Sequence, residues 1–114
     1  MGVCMKAIIL GGTKGIGKSI ADHLQDVCNE IVAVGSKDIN TKSTESVNNF
    51  INKNKETDIL VLNTGGPPDL KFENIDDKIW FEQFSSLFIS FCNLLKGINV
   101  KKGGYIFLIS SFII

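Results

Sequence analysis

The sequence predicts an α/β fold, a doubly wound parallel sheet with crossover helices. Apolar runs rich in β-branched residues alternate with amphipathic stretches, and the first run passes through a glycine-rich turn directly into a helical pattern. The first strand is expected at residues 5–10, where Ala7-Ile8-Ile9-Leu10 is apolar throughout, as in a strand buried on both faces. Ile16, Ile20, Leu24 and Val27 then recur at helical spacing and predict a helix over 16–27. A second strand falls at 30–35, and a shorter helix at about 44–54 with Val47, Phe50 and Ile51 as its apolar stripe. The third strand, at 58–63, runs into Gly65-Gly66-Pro67-Pro68, where the prolines disfavour helix and keep the chain in a loop. The longest helix is expected from about Asp76 to Ile98, and the fourth strand at 104–110.

Composition sets the outer bounds. With 114 residues, 44% hydrophobic and 21% charged, the chain suits one globular domain over 1–114 that buries roughly two-thirds of its unfolded surface. Lys plus Arg and Asp plus Glu are both 12, so no net field draws in nucleic acid or an anionic membrane. The Asn and Lys residues between Asn48 and Lys55 read as a solvated helix face. Cys4, Cys28 and Cys92 are far apart, which argues against a metal site or a disulfide framework and fits a reducing cytoplasm. No signal peptide precedes the first strand, no apolar run has the length of a membrane span, and Lys6 occupies the position where myristoylation of Gly2 wants Ser or Thr.

The turn from Leu10 to Ser19 fits two phosphate-binding patterns. Gly12 to Ser19 is a literal G-x-x-x-x-G-K-[ST], in which backbone N–H groups cradle phosphates and a Lys reaches the terminal ones. Gly11, Gly15 and Gly17 also give G-x-x-x-G-x-G, close to the dinucleotide turn at a helix N-terminus. The first pattern needs a carboxylate at the end of a later strand to hold Mg²⁺. Here the third strand ends at Asn63 and the fourth at Ser110-Ser111, which favours the dinucleotide.

With Asn63-Thr64-Gly65 and Ser111 beside the glycine turn, the chain resembles the short-chain dehydrogenase/reductase family. Its pattern is a strand, T-G-x-x-x-G-x-G, an N-N-A-G turn, and a strand ending in a catalytic Ser. Gly11, Gly15 and Gly17 fall on the three glycines, Leu62-Asn63-Thr64-Gly65 on the second motif and Ser111 on the serine. The resemblance covers nearly all of this chain but only the first half or so of a family member. It therefore implies a Rossmann-like sheet, truncated after the strand that carries the catalytic serine. Only about two dozen residues separate the second and third strands, which is tight for the family's helix, strand and helix. Asp38-Ile39 is read either as the remnant of the family's intervening strand, where an Asp touches adenine, or as a charged turn.

In such a sheet, ligands lie beyond the carboxyl ends of the strands. The cofactor-binding candidates are Gly11, Thr13, Lys14, Gly15, Ile16 and Gly17 in the first turn, Ser36, Lys37 and Asp38 after the second strand, and Asn63, Thr64 and Gly65 after the third. Gly11 would allow the tight turn, Gly15 the approach of backbone to pyrophosphate, and Gly17 the contact of helix with sheet. The resemblance gives Ser111 the hydrogen bond to a substrate carbonyl and, counting back without gaps, places the family's proton-relay Asn at Gln83. The family's Tyr-x-x-x-Lys does not occur in the chain. Tyr105 reads as a strand aromatic and His23 as an exposed helix residue. No carboxylate precedes Asp38 after the second strand, and Lys14 and Lys37 could hold a 2′-phosphate, so NADP(H) is expected over NAD(H).

These features support an NAD(P)-dependent oxidoreductase acting on a small-molecule carbonyl or alcohol, here a fragment or truncated product. A non-catalytic dinucleotide-binding module is the alternative, and a P-loop NTPase or kinase comes third. Trp80, Phe84, Leu87, Phe88, Phe91, Leu95 and Ile98 form one stripe of the long helix, and Phe81, Ile89 and Cys92 widen it. One sheet needs only one apolar face, so a homo-oligomer through helix 76–98, or a contact with a missing C-terminal half, is expected.

Overall fold

The computed structural model describes residues 4–63 and 70–109. Four parallel strands, β1 (Cys4–Leu10), β2 (Cys28–Val34), β3 (Glu56–Leu62) and β4 (Asn99–Leu108), form one sheet in the order β2-β1-β3-β4. Helix α1 (Gly15–Leu24) joins β1 to β2 and α2 (Thr44–Lys53) joins β2 to β3. The path from β3 to β4 includes a short 3₁₀ turn, Phe72–Asn74, and a long helix. That helix comprises α3 (Asp77–Phe84), a π turn (Ser85–Ile89) and α4 (Ser90–Gly97).

Alternate residues of β1 and β3 enter two separate cores. Ala7, Ile9, Ile59 and Val61 pack with Ala21 beneath α1. Ile8, Leu10, Leu60 and Leu62 pack with Val47, Phe50 and Leu94 of α2 and α4 on the other face. Both central strands are thus covered on both sides, which is why they read as unbroken apolar runs. Each fully buried Ile or Leu contributes roughly 1.5–3 kcal/mol of transfer free energy.

The expected strands and helices are present, with shifted ends. β4 begins earlier than expected because its first pairs, Glu56 with Asn99 and Thr57 with Val100, are followed by a bulge before Ile59 meets Tyr105. The inserted Lys101-Lys102-Gly103-Gly104 is polar and glycine-rich, so nothing apolar advertises the strand before residue 104.

Asp38-Ile39 is a turn, and the alternative of a remnant strand falls. The Asp38 carboxylate accepts from the Gly35 N–H at 3.0 Å, and Ile39 is buried in the core beneath α2. Among the described residues β2 therefore stands at the edge of the sheet, and the chain passes from it to α2 without a strand between.

The long helix carries more apolar surface than the rest of the described residues cover. Much of its apolar stripe faces outward: Trp80, Phe81, Phe84 and Phe88 are 48%, 71%, 54% and 55% exposed. Its buried residues are instead Ser86, Ser90 and Leu94, with Ile98 just past its end. Ser90 satisfies its buried hydroxyl by donating to the Ser86 carbonyl at 2.6 Å.

Cys28 is disulfide-bonded, contrary to the expectation from sequence spacing. Parallel pairing sets Cys28 in register with Cys4, so distance along the chain was a poor guide to proximity. Among the described residues no helix is long and apolar enough to cross a membrane. His23 is exposed, its Nδ1 donating to the Ser19 carbonyl, and Tyr105 is a strand aromatic stacked on Phe107.

Candidate nucleotide-binding cleft

The glycine turn between β1 and α1 is pinned from both neighbouring strands. The Gly12 N–H donates to the Val34 carbonyl at the end of β2 at 3.0 Å, while Asn63, just past β3, donates its Nδ2 hydrogen to the Gly11 carbonyl at 3.4 Å. Gly11 has φ 68°, a left-handed conformation that costs a side chain about 1–2 kcal/mol. A Cβ on Gly17 would strike the Gly11 carbonyl, so glycine there lets the first turn of α1 lie against the strand end. Gly15 faces open space.

The start of α1 is left available to an anion. Its N-cap, Lys14, is extended and makes no side-chain cap, and the first turn contains no acidic residue. The first-turn N–H groups, with the positive end of the helix dipole behind them, point toward the turn. Lys18, which the alternative phosphate-loop pattern would send to a terminal phosphate, pairs along the helix with Asp22 at 2.8 Å and does not line the cleft.

A cleft of about 1130 Å³ opens at the carboxyl end of the sheet. It brings together Gly11, Thr13, Lys14, Gly15, Ile16, Ser36, Lys37, Asp38, Asn63 and Gln83. Gly17 is buried just beneath it. Thr64, Gly65 and Ser111 lie outside the described residues. Lys14 and Lys37 are exposed, and neither is ion-paired among the described residues. Asp38 spends one carboxylate oxygen on its own turn, which orients that group.

Sequence reasoning missed the wall opposite the glycine turn. Asn40, Thr41, Lys42, Glu82 and Ser86 also line the cleft. They belong to a loop and a helix far apart in the chain, and no local pattern marks them. A smaller, polar hollow of about 370 Å³ runs from Asp38 along α2, lined by Ser43, Glu45 and Lys53 among others, and does not include the glycine turn. Among the described residues no group of His, Cys, Asp and Glu could hold a metal ion.

No protein-family model and no curated protein matches the chain. Solved structures do. A short chain dehydrogenase family protein from Francisella tularensis subsp. tularensis superposes with a TM-score of 0.80 at 19% identity, covering 96% of this chain and 52% of that one. BdcA in complex with NADPH gives 0.77 at 21%, covering 94% and 52%. A small-chain dehydrogenase in complex with NADPH gives 0.74 at 21%, covering 91% and 49%. The fold is thus the Rossmann-like fold of short-chain dehydrogenases, and the chain spans about half the length of these structures.

Proposed function

We propose that the chain is the cofactor-binding part of a short-chain dehydrogenase/reductase, an NADP(H)-dependent oxidoreductase acting on a small carbonyl or alcohol. The observation that carries this is the anchored glycine turn. Gly11, held by Asn63, and the uncapped start of α1 form an anion cradle at the carboxyl end of a parallel sheet, in the fold that two NADPH complexes share.

The residues fit the cofactor. The N–H groups following Lys14 would hold the pyrophosphate, Ser36 and Lys37 would face the adenosine ribose, and Asn63 the nicotinamide end. Lys14 and Lys37 can each give a 2′-phosphate a charge-assisted hydrogen bond. The bound dinucleotide supplies or accepts the hydride. Following the family resemblance, Ser111 would donate a hydrogen bond to the substrate oxygen and stabilise charge developing there, Thr64 and Gly65 would extend the Asn63 turn, and Gln83 would take the place of the family's relay Asn.

Association through the exposed aromatic face of the long helix is part of the same proposal. So is a cytoplasmic location, for which the cysteine argument falls with the bonding of Cys28. The cofactor assignment is tested by amide chemical-shift mapping with NADPH. Shifts at Gly11–Gly17, Ser36–Asp38 and Asn63 are expected; shifts confined to the hollow beside α2 would overturn it.

A further inference from the structure

The segment between β2 and α2 is tied to the long helix at two points. Thr41 Oγ1 lies 2.7 Å from Ser86 Oγ, and Lys42 Nζ lies 3.6 Å from Glu82 Oε2. Ser86 is buried and belongs to the π turn, an irregularity that recurs at functional sites. The near end of the segment is fixed by the Gly35–Asp38 turn, with N–H bonds to the Gly35 carbonyl from Asp38 at 2.9 Å and Ile39 at 3.1 Å. Ser36 and Lys37 form the tip of that turn, and Ile39 and Asn40 connect it to the two ties. In a doubly wound dinucleotide site, the end of the second strand is where the adenosine ribose and its 2′ substituent are read. Among the described residues β2 is an edge strand and no further strand backs the segment; Ile39 in the core and the two ties to the helix hold it.

We propose that Thr41 and Ser86 are positioning residues for the adenosine end of the cleft. Their hydrogen bond, assisted by the Lys42–Glu82 pair, holds the segment as the outer wall of the adenosine 2′-phosphate subsite. This rests on the dinucleotide reading above. The hydroxyl pair carries most of the effect, because the ion pair is long and half-exposed and such pairs contribute little.

The test is a fluorescence titration of NADPH into the full chain, with adenosine 2′,5′-bisphosphate and reduced nicotinamide mononucleotide as competitors. Thr41→Val is expected to weaken NADPH and the adenosine bisphosphate by about 2–10-fold, the equilibrium equivalent of one net hydrogen bond. Competition by the mononucleotide should stay unchanged, and Thr41→Ser should restore wild-type affinity. Ser86→Ala should reproduce the loss, and Thr41→Val added to it should cost nothing more, so the proposal stays testable if one variant folds poorly. Unchanged affinity in both variants, or equal weakening of the two competitors, overturns the positioning role while leaving the dinucleotide reading intact. Failure of the wild-type chain to bind NADPH at all removes that reading, and the wall with it.

Discussion

Gly17 and Gly11 touch across the glycine turn, and that contact leaves no room for a side chain. Gly17→Val should therefore overpack the turn by roughly 1–3 kcal/mol. At about 4–8 °C per kcal/mol for a domain near this size, the loss is readable in a thermal melt. An unchanged melting temperature would mean that helix and strand can separate at little cost. At Lys14 and Lys37 the expected effect is on selectivity. Each charge-assisted contact to a 2′-phosphate is worth roughly 1.5–3 kcal/mol, less where solvent screens it. The double change Lys14→Ala and Lys37→Ala should lower the ratio of NADPH to NADH affinity by about tenfold or more; an unchanged ratio would make both lysines ordinary solvated charges. Glycines and strand-end polar residues were legible in the sequence because backbone sterics and the parallel fold dictate their places. Thr41 and Ser86 were not, since two hydroxyls 45 positions apart leave no periodic trace.

Elements were legible wherever an apolar pattern defined them, and shifted wherever burial used another residue type. The long helix is the clearest case. Its sequence announces an aromatic stripe, yet serines are among its buried residues and several aromatics stay outside, Phe84 stacked on Phe88 at 5.1 Å. Apolar periodicity reports how much surface wants covering and not what covers it. Two outcomes follow. Ser90→Leu should destabilise by about 1–3 kcal/mol, because its site is sized for a hydroxymethyl group. The wild-type chain should associate in a concentration-dependent way by sedimentation, and Phe84→Glu with Phe88→Glu should abolish this without lowering the melting temperature. A wild-type monomer at all concentrations would contradict the interface assigned to this face. The same limit applies at β4, where a polar bulge concealed the first strand pairs.

At the scale of the whole molecule, the sheet order β2-β1-β3-β4 sets the turn after β1 between the ends of β2 and β3, which is what gathers the cleft. The absence of a strand outside β2 could not be settled from spacing alone, since Asp38-Ile39 suits a turn or a short strand equally. Beyond β4 the sheet is open among the described residues, with Tyr105, Ile106, Phe107 and Leu108 exposed, an edge prone to pairing with other chains. The 114 residues contain no Tyr-x-x-x-Lys, so no positioned phenol supplies the proton that general acid catalysis uses for about 10²–10⁴-fold acceleration. We expect these residues alone to bind cofactor without turnover. Steady NADPH oxidation against ketones or aldehydes, abolished by Ser111→Ala, would show that another acid serves.

The glycine turn is assigned here to a dinucleotide and not to a nucleoside triphosphate. Calorimetric titration of the chain with NADPH, NADH and Mg-ATP tests it most directly. NADPH should bind most tightly, NADH more weakly and Mg-ATP weakest, because Lys18 is paired with Asp22 and Asn63, not a carboxylate, follows β3. Mg-ATP binding more tightly than both dinucleotides would overturn the dinucleotide assignment.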